Sequence, residues 1–509
     1  MTSKDGNMKN IIVIGSGIGG LTAAVLLAQK GHGVTIFESH TSPGGYTAGF
    51  WRKGFYFESG TLAFESSGVL FKALKDTGVF EKVRCLRKKD RWVSPYFDFS
   101  FDSYARFKEA IQRGFPAEKE ALDGYFHDLD PVYEAMAPFI DKPYPTQFSG
   151  LKAVRAMLPY LFSGRKFYRV FKKFGDMTVV DLADKHFPKG TPLHRLFSDL
   201  GYPLMGIGGL GGYFVAMTED YWHVADGMQH LADALAARLN ELGGELKCHA
   251  PVDKILTREG AAVGVTSDGK QYQADFVISA CDYKNTFLKL LDTPSLLPQK
   301  QLEKIMGAAV SEGIFTVYLG LDMANQELLR HMRAYTVSYS PLEHDLDLDD
   351  PNDPEIFRKS GFSLHSLSLI NPQLAPEGKS SLMIHAVCPT RWQDNWHKGD
   401  REKYAALKNG VKAALIERAA AIVPGLKSRI EFEDAASPLT FERYTRNTDG
   451  ATSAWSWNPN KKFYEGGMMA QMSVVTPVRN LLIGSCWANQ IGGVPSAIAA
   501  AYLCAKKVR

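Results

Sequence analysis

The chain of 509 residues has only six cysteines, Cys85, Cys248, Cys281, Cys388, Cys486 and Cys504, and no two of them form a CxxC pair. Such scattered residues fit the reduced thiols of a cytosolic protein better than a disulfide framework or a zinc site. An excess of one charge is also missing. The 59 Lys and Arg against 55 Asp and Glu leave +4, too little to indicate nucleic-acid binding. The 13 histidines show no metal-type spacing, so no metal site is expected, and no catalytic triad or paired-acid signature stands out. His230, His365 and His385 lie in apolar contexts and read as hydrogen-bonded core histidines rather than catalysts. No signal peptide is expected, because the apolar run 11–14 leads into glycines and not into a cleavage site. No membrane span is expected either. The largely apolar stretch 481–505 contains Asn489, Gln490, Gly492, Gly493 and Pro495, which suits a buried strand, a glycine turn and a buried helix. A cytoplasmic location, with room for peripheral attachment to a membrane surface, is therefore expected.

What is present is an ordinary globular composition, 45% hydrophobic and 22% charged, which excludes disordered and fibrous classes. The length exceeds what one hydrophobic core usually fills, so two domains are expected. The most informative stretch is 10–38. Ile11-Ile12-Val13-Ile14 suits a fully buried parallel strand. Gly15-Ser16-Gly17-Ile18-Gly19-Gly20 follows, then a helix over 21–30, glycines at 31 and 33, and a second strand over 34–37 ending at Glu38. Gly15 allows the tight turn, Gly17 lets the backbone approach a pyrophosphate, and Gly20 lets the helix pack on the strand. The helix N-terminus, from Ile18 and Gly19 onward, offers free N–H groups to phosphate. Glu38 stands 18 residues after Gly20, near where a carboxylate accepts ribose hydroxyls. Gly206-Ile207-Gly208-Gly209-Leu210-Gly211 matches the same glycine pattern without a strand before it, and reads as a flexible loop.

After Glu38 come Ser39 and then Pro43-Gly44-Gly45-Tyr46, followed by Gly54-Phe55-Tyr56-Phe57-Glu58-Ser59-Gly60. Here the chain resembles the phytoene desaturase, carotenoid isomerase and retinol saturase family of flavoproteins, and the resemblance runs through the whole chain. Asp226-Gly227-Met228-Gln229-His230-Leu231 matches the family's Gly-Gly-Met helix, with Asp226 in place of the first glycine. Val252 matches the valine strand beside the adenine. The strand over 481–484 and the turn Gly492-Gly493-Val494-Pro495 match the C-terminal flavin-binding segment. Gly484 and Ser485 stand near the ribityl chain, with Ser485 where many relatives have aspartate. Gly493 and Val494 begin a helix aimed at the flavin pyrimidine, where a helix N-terminus stabilises negative charge. The resemblance implies FAD as cofactor and a hydrophobic isoprenoid-like polyene as substrate. Desaturation, saturation and cis–trans isomerisation stay open, with a flavin amine oxidase or a non-catalytic polyene-binding flavoprotein as alternatives. Glu58 matches the family's acid and is the one catalytic candidate, though a structural role fits it better. Tyr46, Trp455 and Trp487 lie in flavin-proximal motifs.

The expected fold is α/β. A discontinuous Rossmann-like FAD-binding domain over 1–75, 223–300 and 440–509 would carry an inserted α+β substrate domain over 76–222 and 301–439. The second insertion has strand-like runs at 313–321, 362–370 and 381–387, then a long helix over 402–422. Residues 157–174 interleave aromatic and basic side chains. That pattern fits peripheral contact with a membrane surface and equally a helix with a solvated basic face; the resemblance favours the first.

Overall fold

The computed structural model describes residues 8–174, 177–198, 200, 205–343, 352–458, 461–464 and 472–508. Four consecutive apolar residues cannot alternate between core and solvent, so the first strand has to be covered on both faces. Strand β1 (Asn10–Ile14) meets that demand at the centre of a five-stranded parallel sheet. β2 (Gly33–Phe37) and the strand Phe276–Ser279 flank it. Glu245–Lys247 pairs outside β2, and Leu481–Ile483 outside Phe276–Ser279. The sheet thus draws on three widely separated stretches of chain. Parallel neighbours need a crossover, and helix α1 (Ile18–Ala28) supplies the first. It packs between the helix Met228–Glu241 and the C-terminal helix Gly493–Lys507. A three-stranded antiparallel meander over Val252–Arg258, Ala261–Ser267 and Lys270–Gln273 adjoins the sheet, with Tyr272 edge-on to Phe37.

The second sheet has seven strands in the order Ile430–Ala436, Gly313–Leu321, Ser380–Cys388, Phe362–His365, Thr336–Tyr339, Asp90–Val93 and Asp98–Phe101. Its neighbours are antiparallel except Thr336–Tyr339 against Asp90–Val93. Residues two apart share a face of a strand. Phe315, Val317, Leu319, Leu382 and Ile384 therefore pack together on the helix Arg401–Ala419. The opposite face, with Tyr318 and Met383, packs on Phe55 and Phe57 of the strand Phe55–Glu58. A third core, rich in aromatics, holds the helices between Tyr104 and Glu219.

Three sequence expectations are corrected here. The second glycine pattern opens a helix, Ile207–Glu219, instead of a loop. A side chain at Gly211 would press on Val132 at 2.8 Å, so that glycine serves close packing against the helix Lys119–Met136. The run-in at 201–204 lies outside the described residues. The strand expected over 362–370 ends at His365 and becomes a 3-10 turn at Leu367–Leu369. Ser368 fastens that turn by donating to Asn325 Oδ1 (2.8 Å) and accepting from the Ser381 N–H (3.0 Å). His230 is exposed on its helix and donates from Nε2 to the Lys82 carbonyl at 2.8 Å, so it is no core histidine. All six cysteines are free thiols.

Candidate active site

Open α/β sheets bind ligands outside the carboxyl ends of their strands, and the glycines of the first motif gather there. Gly15 turns the chain with φ +94° and donates its N–H to the Phe37 carbonyl at 2.8 Å. A methyl group at Gly20 would collide with the Gly15 carbonyl, and one at Gly19 with the Gly484 carbonyl. These two glycines let α1 press against β1 and against the end of Leu481–Ile483. Gly17 is different: a methyl group there would meet nothing within 4 Å. It caps α1, whose first N–H groups, from Ile18 on, have no partner within the helix. Gly44 lies across from it, bonded from its N–H to the Ser16 carbonyl at 2.9 Å, and Gly45 stands beside the Gly17 Cα. The result is a bare-walled notch at a helix N-terminus, which fits a pyrophosphate.

Glu38 closes one side of this notch. It is 8% exposed. Its Oε2 accepts from Ser16 N–H and Oγ (2.8 and 2.7 Å), and its Oε1 from His40 N–H and Ser39 Oγ (2.8 and 3.3 Å). The two backbone donors hold the carboxylate in place. The two hydroxyls can rotate away, so ribose hydroxyls can take their positions. The backbone at Ala250 donates to the Glu38 carbonyl at 2.8 Å, which brings the start of the strand Val252–Arg258 next to the same corner. At the far edge, Gly484 N–H bonds the Ser279 carbonyl (2.8 Å) and Ser485 Oγ donates to the Cys281 carbonyl (2.9 Å). Ser485 thus ties two sheet-end loops together. Gly493 and Val494 open the C-terminal helix. Gly492 just before it has φ +70°, and a side chain there would collide with the Ser453 carbonyl.

The acid of the second motif has a structural post. Glu58 is 3% exposed; it accepts from Met228 N–H (2.8 Å) and Tyr56 Oη (2.9 Å). Burial pushes its carboxyl up to about 8, against the pull of those two bonds. It clamps the start of the helix Met228–Glu241. Gln229 continues the clamp with bonds to Gly49 N–H (3.1 Å) and the Pro43 carbonyl (3.0 Å), which fix the loop carrying Gly44 and Gly45. Asp226 faces elsewhere, accepting from Asn371 Nδ2 at 2.8 Å. Tyr46 points toward the second sheet, donating to the Gly450 carbonyl (3.0 Å) and stacking on Phe441. Trp455 and Trp487 are fully buried packing residues, joined by a bond from Trp455 Nε1 to the Trp487 carbonyl (2.9 Å). Sequence reasoning missed Ser16, Tyr56 and Gln229; Ser16 and Gln229 act through partners 22 and more than 170 residues away, and Tyr56 through Glu58 and the Gln229 N–H. The only local trace was their place inside the glycine motifs.

Comparison with known proteins agrees with this geometry. The family model for flavin containing amine oxidoreductase matches residues 18–509. A 4,4'-diapophytoene desaturase from Methylomonas sp is 25% identical, over 90% of this chain and 89% of its own. Prolycopene isomerase 2 from an Oncidium hybrid cultivar is 26% identical, over 98% of this chain and 83% of its own. Among solved structures, an oxidoreductase from Methanosarcina mazei superposes with a TM-score of 0.60 at 16% identity, covering 98% of this chain and all of that one. The fold and the notch define a flavin-dependent oxidoreductase. The chain belongs to the flavin-containing amine oxidoreductase family, and its cofactor is FAD.

Proposed function

We propose that the protein acts on carbon–carbon bonds of a hydrophobic, isoprenoid-like polyene, by desaturation, saturation or cis–trans isomerisation. The observation that carries this reading is the layer between the cofactor crevice and the second sheet. Phe55, Phe57, Tyr318, Met383 and Phe441 pack together there as one buried apolar cluster. A hydrocarbon placed against such side chains loses no hydration. An amine arrives as an ammonium ion and needs a carboxylate or a cage to replace its hydration. Glu58, the buried acid beside this layer, is already occupied by Met228 and Tyr56. The similarity to a desaturase and an isomerase supports the same choice over an amine oxidase.

Bound FAD supplies the electron exchange; the protein contributes orientation and exclusion of water. We assign the cofactor to segments 1–75, 223–300 and 440–509, and the substrate face to 76–222 and 301–439. The role of Glu58 in this reading is to hold the helix Met228–Glu241, and Gly15, Gly17, Gly44, Gly45, Glu38, Val252, Gly484 and Gly493 surround the cofactor.

The reading includes contact with a membrane surface. No helix among the described residues is long and apolar enough to cross a bilayer. The helix Gly150–Phe174, however, exposes Leu151, Val154, Leu158, Leu161 and Tyr168 along one side, Leu151 by 81%, while Val170 and Phe174 are buried. It carries seven basic residues and no acidic one. Exposed apolar side chains amid basic ones suit the interface of an anionic bilayer. The deciding experiment mixes FAD-loaded protein anaerobically with a polyene in liposomes. Bleaching of the flavin supports desaturation, and conversion by reduced flavin alone supports saturation or isomerisation. Absence of both, with peroxide released from amines, overturns the reading.

A further inference from the structure

The apolar layer has one polar end. In the second sheet Thr316 pairs with His385, His385 with Ser363, and Thr336 with both His365 and Asp90. A row of hydroxyl, imidazole and carboxyl groups therefore crosses the strands on the face that bears Tyr318 and Met383. The imidazoles of the row face its hydroxyls, and Asp90 pairs with Lys88 at 3.0 Å. His365 bonds Thr336 Oγ1 (3.2 Å) and Ser363 Oγ (2.7 Å), and His385 Nε2 lies 3.5 Å from Thr316 Oγ1. Facing His365 across a small cavity is His223, on the strand Tyr221–Val224 and 4% exposed. Its Nδ1 lies 3.0 Å from the Leu62 carbonyl. A carbonyl can only accept, so Nδ1 carries the proton and Nε2 presents a bare lone pair. Burial holds this imidazole down at about 4, so it is neutral at pH 7. Nε2 is buried with no hydrogen-bond partner among the described residues. The cavity before it has room for about one water-sized group. Its apolar wall includes Leu62 and Met383, which also belong to the apolar layer.

We propose that this cavity receives the hydroxyl end of an oxygenated isoprenoid, with His223 Nε2 accepting its O–H hydrogen bond. The inference rests on the polyene reading and narrows it from hydrocarbons to polyene alcohols. A hydrocarbon leaves the buried acceptor bare, which is costly in the interior. An aldehyde or ketone sets its lone pair against that of His223, and Ser366, which also lines the cavity, has its hydroxyl bonded to Ser368 Oγ at 3.2 Å. Sites built to bond a hydroxyl reject analogues that lack it far more strongly than apolar pockets discriminate by size.

The test titrates the FAD-loaded protein with a primary polyene alcohol, its aldehyde and the matching hydrocarbon, following tryptophan fluorescence and polyene absorbance. The alcohol is expected to bind roughly tenfold or more tighter than the hydrocarbon, and the aldehyde no tighter than the hydrocarbon. In His223→Phe the alcohol should fall to the level of the hydrocarbon, whose own affinity stays unchanged. The aldehyde comparison needs no variant, so it decides the matter even where His223→Phe fails to fold. Equal affinity for alcohol and hydrocarbon, with both converted, overturns this inference and leaves the polyene function standing. Survival of the alcohol preference in a folded His223→Phe overturns it as well. Binding of none of the three by flavin-loaded protein overturns the polyene reading and this inference together.

Discussion

Two glycines two residues apart in the first motif should fail in opposite ways when replaced by alanine. Gly17 has φ −64° and open space where its Cβ would go, so Gly17→Ala introduces neither strain nor a clash into the cofactor-free protein. Its stability should lie within about 0.5 kcal/mol of wild type. The added methyl group fills the notch, however, and holds the pyrophosphate off the N–H groups of α1. The loss of one hydrogen bond to a charged group, about 1.5–3 kcal/mol, weakens FAD by roughly 10- to 150-fold. Gly19→Ala instead drives its Cβ into the Gly484 carbonyl and to 3.1 Å from the Ala497 carbonyl, both backbone atoms. Neither can swing aside as a side chain would, so α1 must move off the sheet edge at about 1–3 kcal/mol. The assay is urea unfolding of both proteins without FAD, followed by FAD titration with flavin fluorescence. A Gly17→Ala protein that binds FAD like wild type refutes the assignment of the notch. Equal destabilisation of the two cofactor-free variants refutes the packing argument.

Other outcomes follow from the same structure. Glu58 has a folded carboxyl raised to about 8 from an ordinary 4.5, so between those values the folded state binds a proton that the unfolded state has released. Its contribution to stability is whole below about pH 4.5 and is lost as pH rises toward 8. Glu58→Gln should flatten that part of the curve in urea melts at pH 5, 7 and 9, and an unchanged slope would show that Glu58 is not its source. Gly227→Ala meets φ +92° and a collision with Tyr56 Oη; it should lose about 2–4 kcal/mol by thermal unfolding, and a neutral result would disprove the clamp. Replacing Leu151, Leu158 and Leu161 together by serine should abolish flotation with anionic vesicles at an unchanged melting temperature. Flotation that persists in the triple variant would remove that helix from the membrane reading.

Much of the cofactor fold was legible in the chain because its cause is local. A fully apolar four-residue run, glycines at fixed offsets and an acid at the end of the next strand each constrain backbone that is close in sequence. The strand Gly313–Leu321 and the long helix Arg401–Ala419 were legible for the same reason, through length and periodicity. The errors share a cause as well. Gly206 to Gly211 have the same spacing as the first motif, but whether a glycine faces phosphate or a neighbouring helix depends on what packs there, and Val132 lies 75 or so residues away. The end of Phe362–His365 depends on Asn325 and Ser381, which no reading of 362–370 could include.

The chemistry-bearing groups divide along the same line. The chain alone pointed to its N-terminal motif as the place for a dinucleotide, since turn geometry and helix N-termini are properties of consecutive residues. Only the tertiary structure decided that Glu58 is a clamp, that His230 is exposed, and that His223 faces His365 with a free lone pair. A hydrogen bond requires two groups within about 3 Å, and distance across strands is set by register and packing, which no separation along the chain encodes.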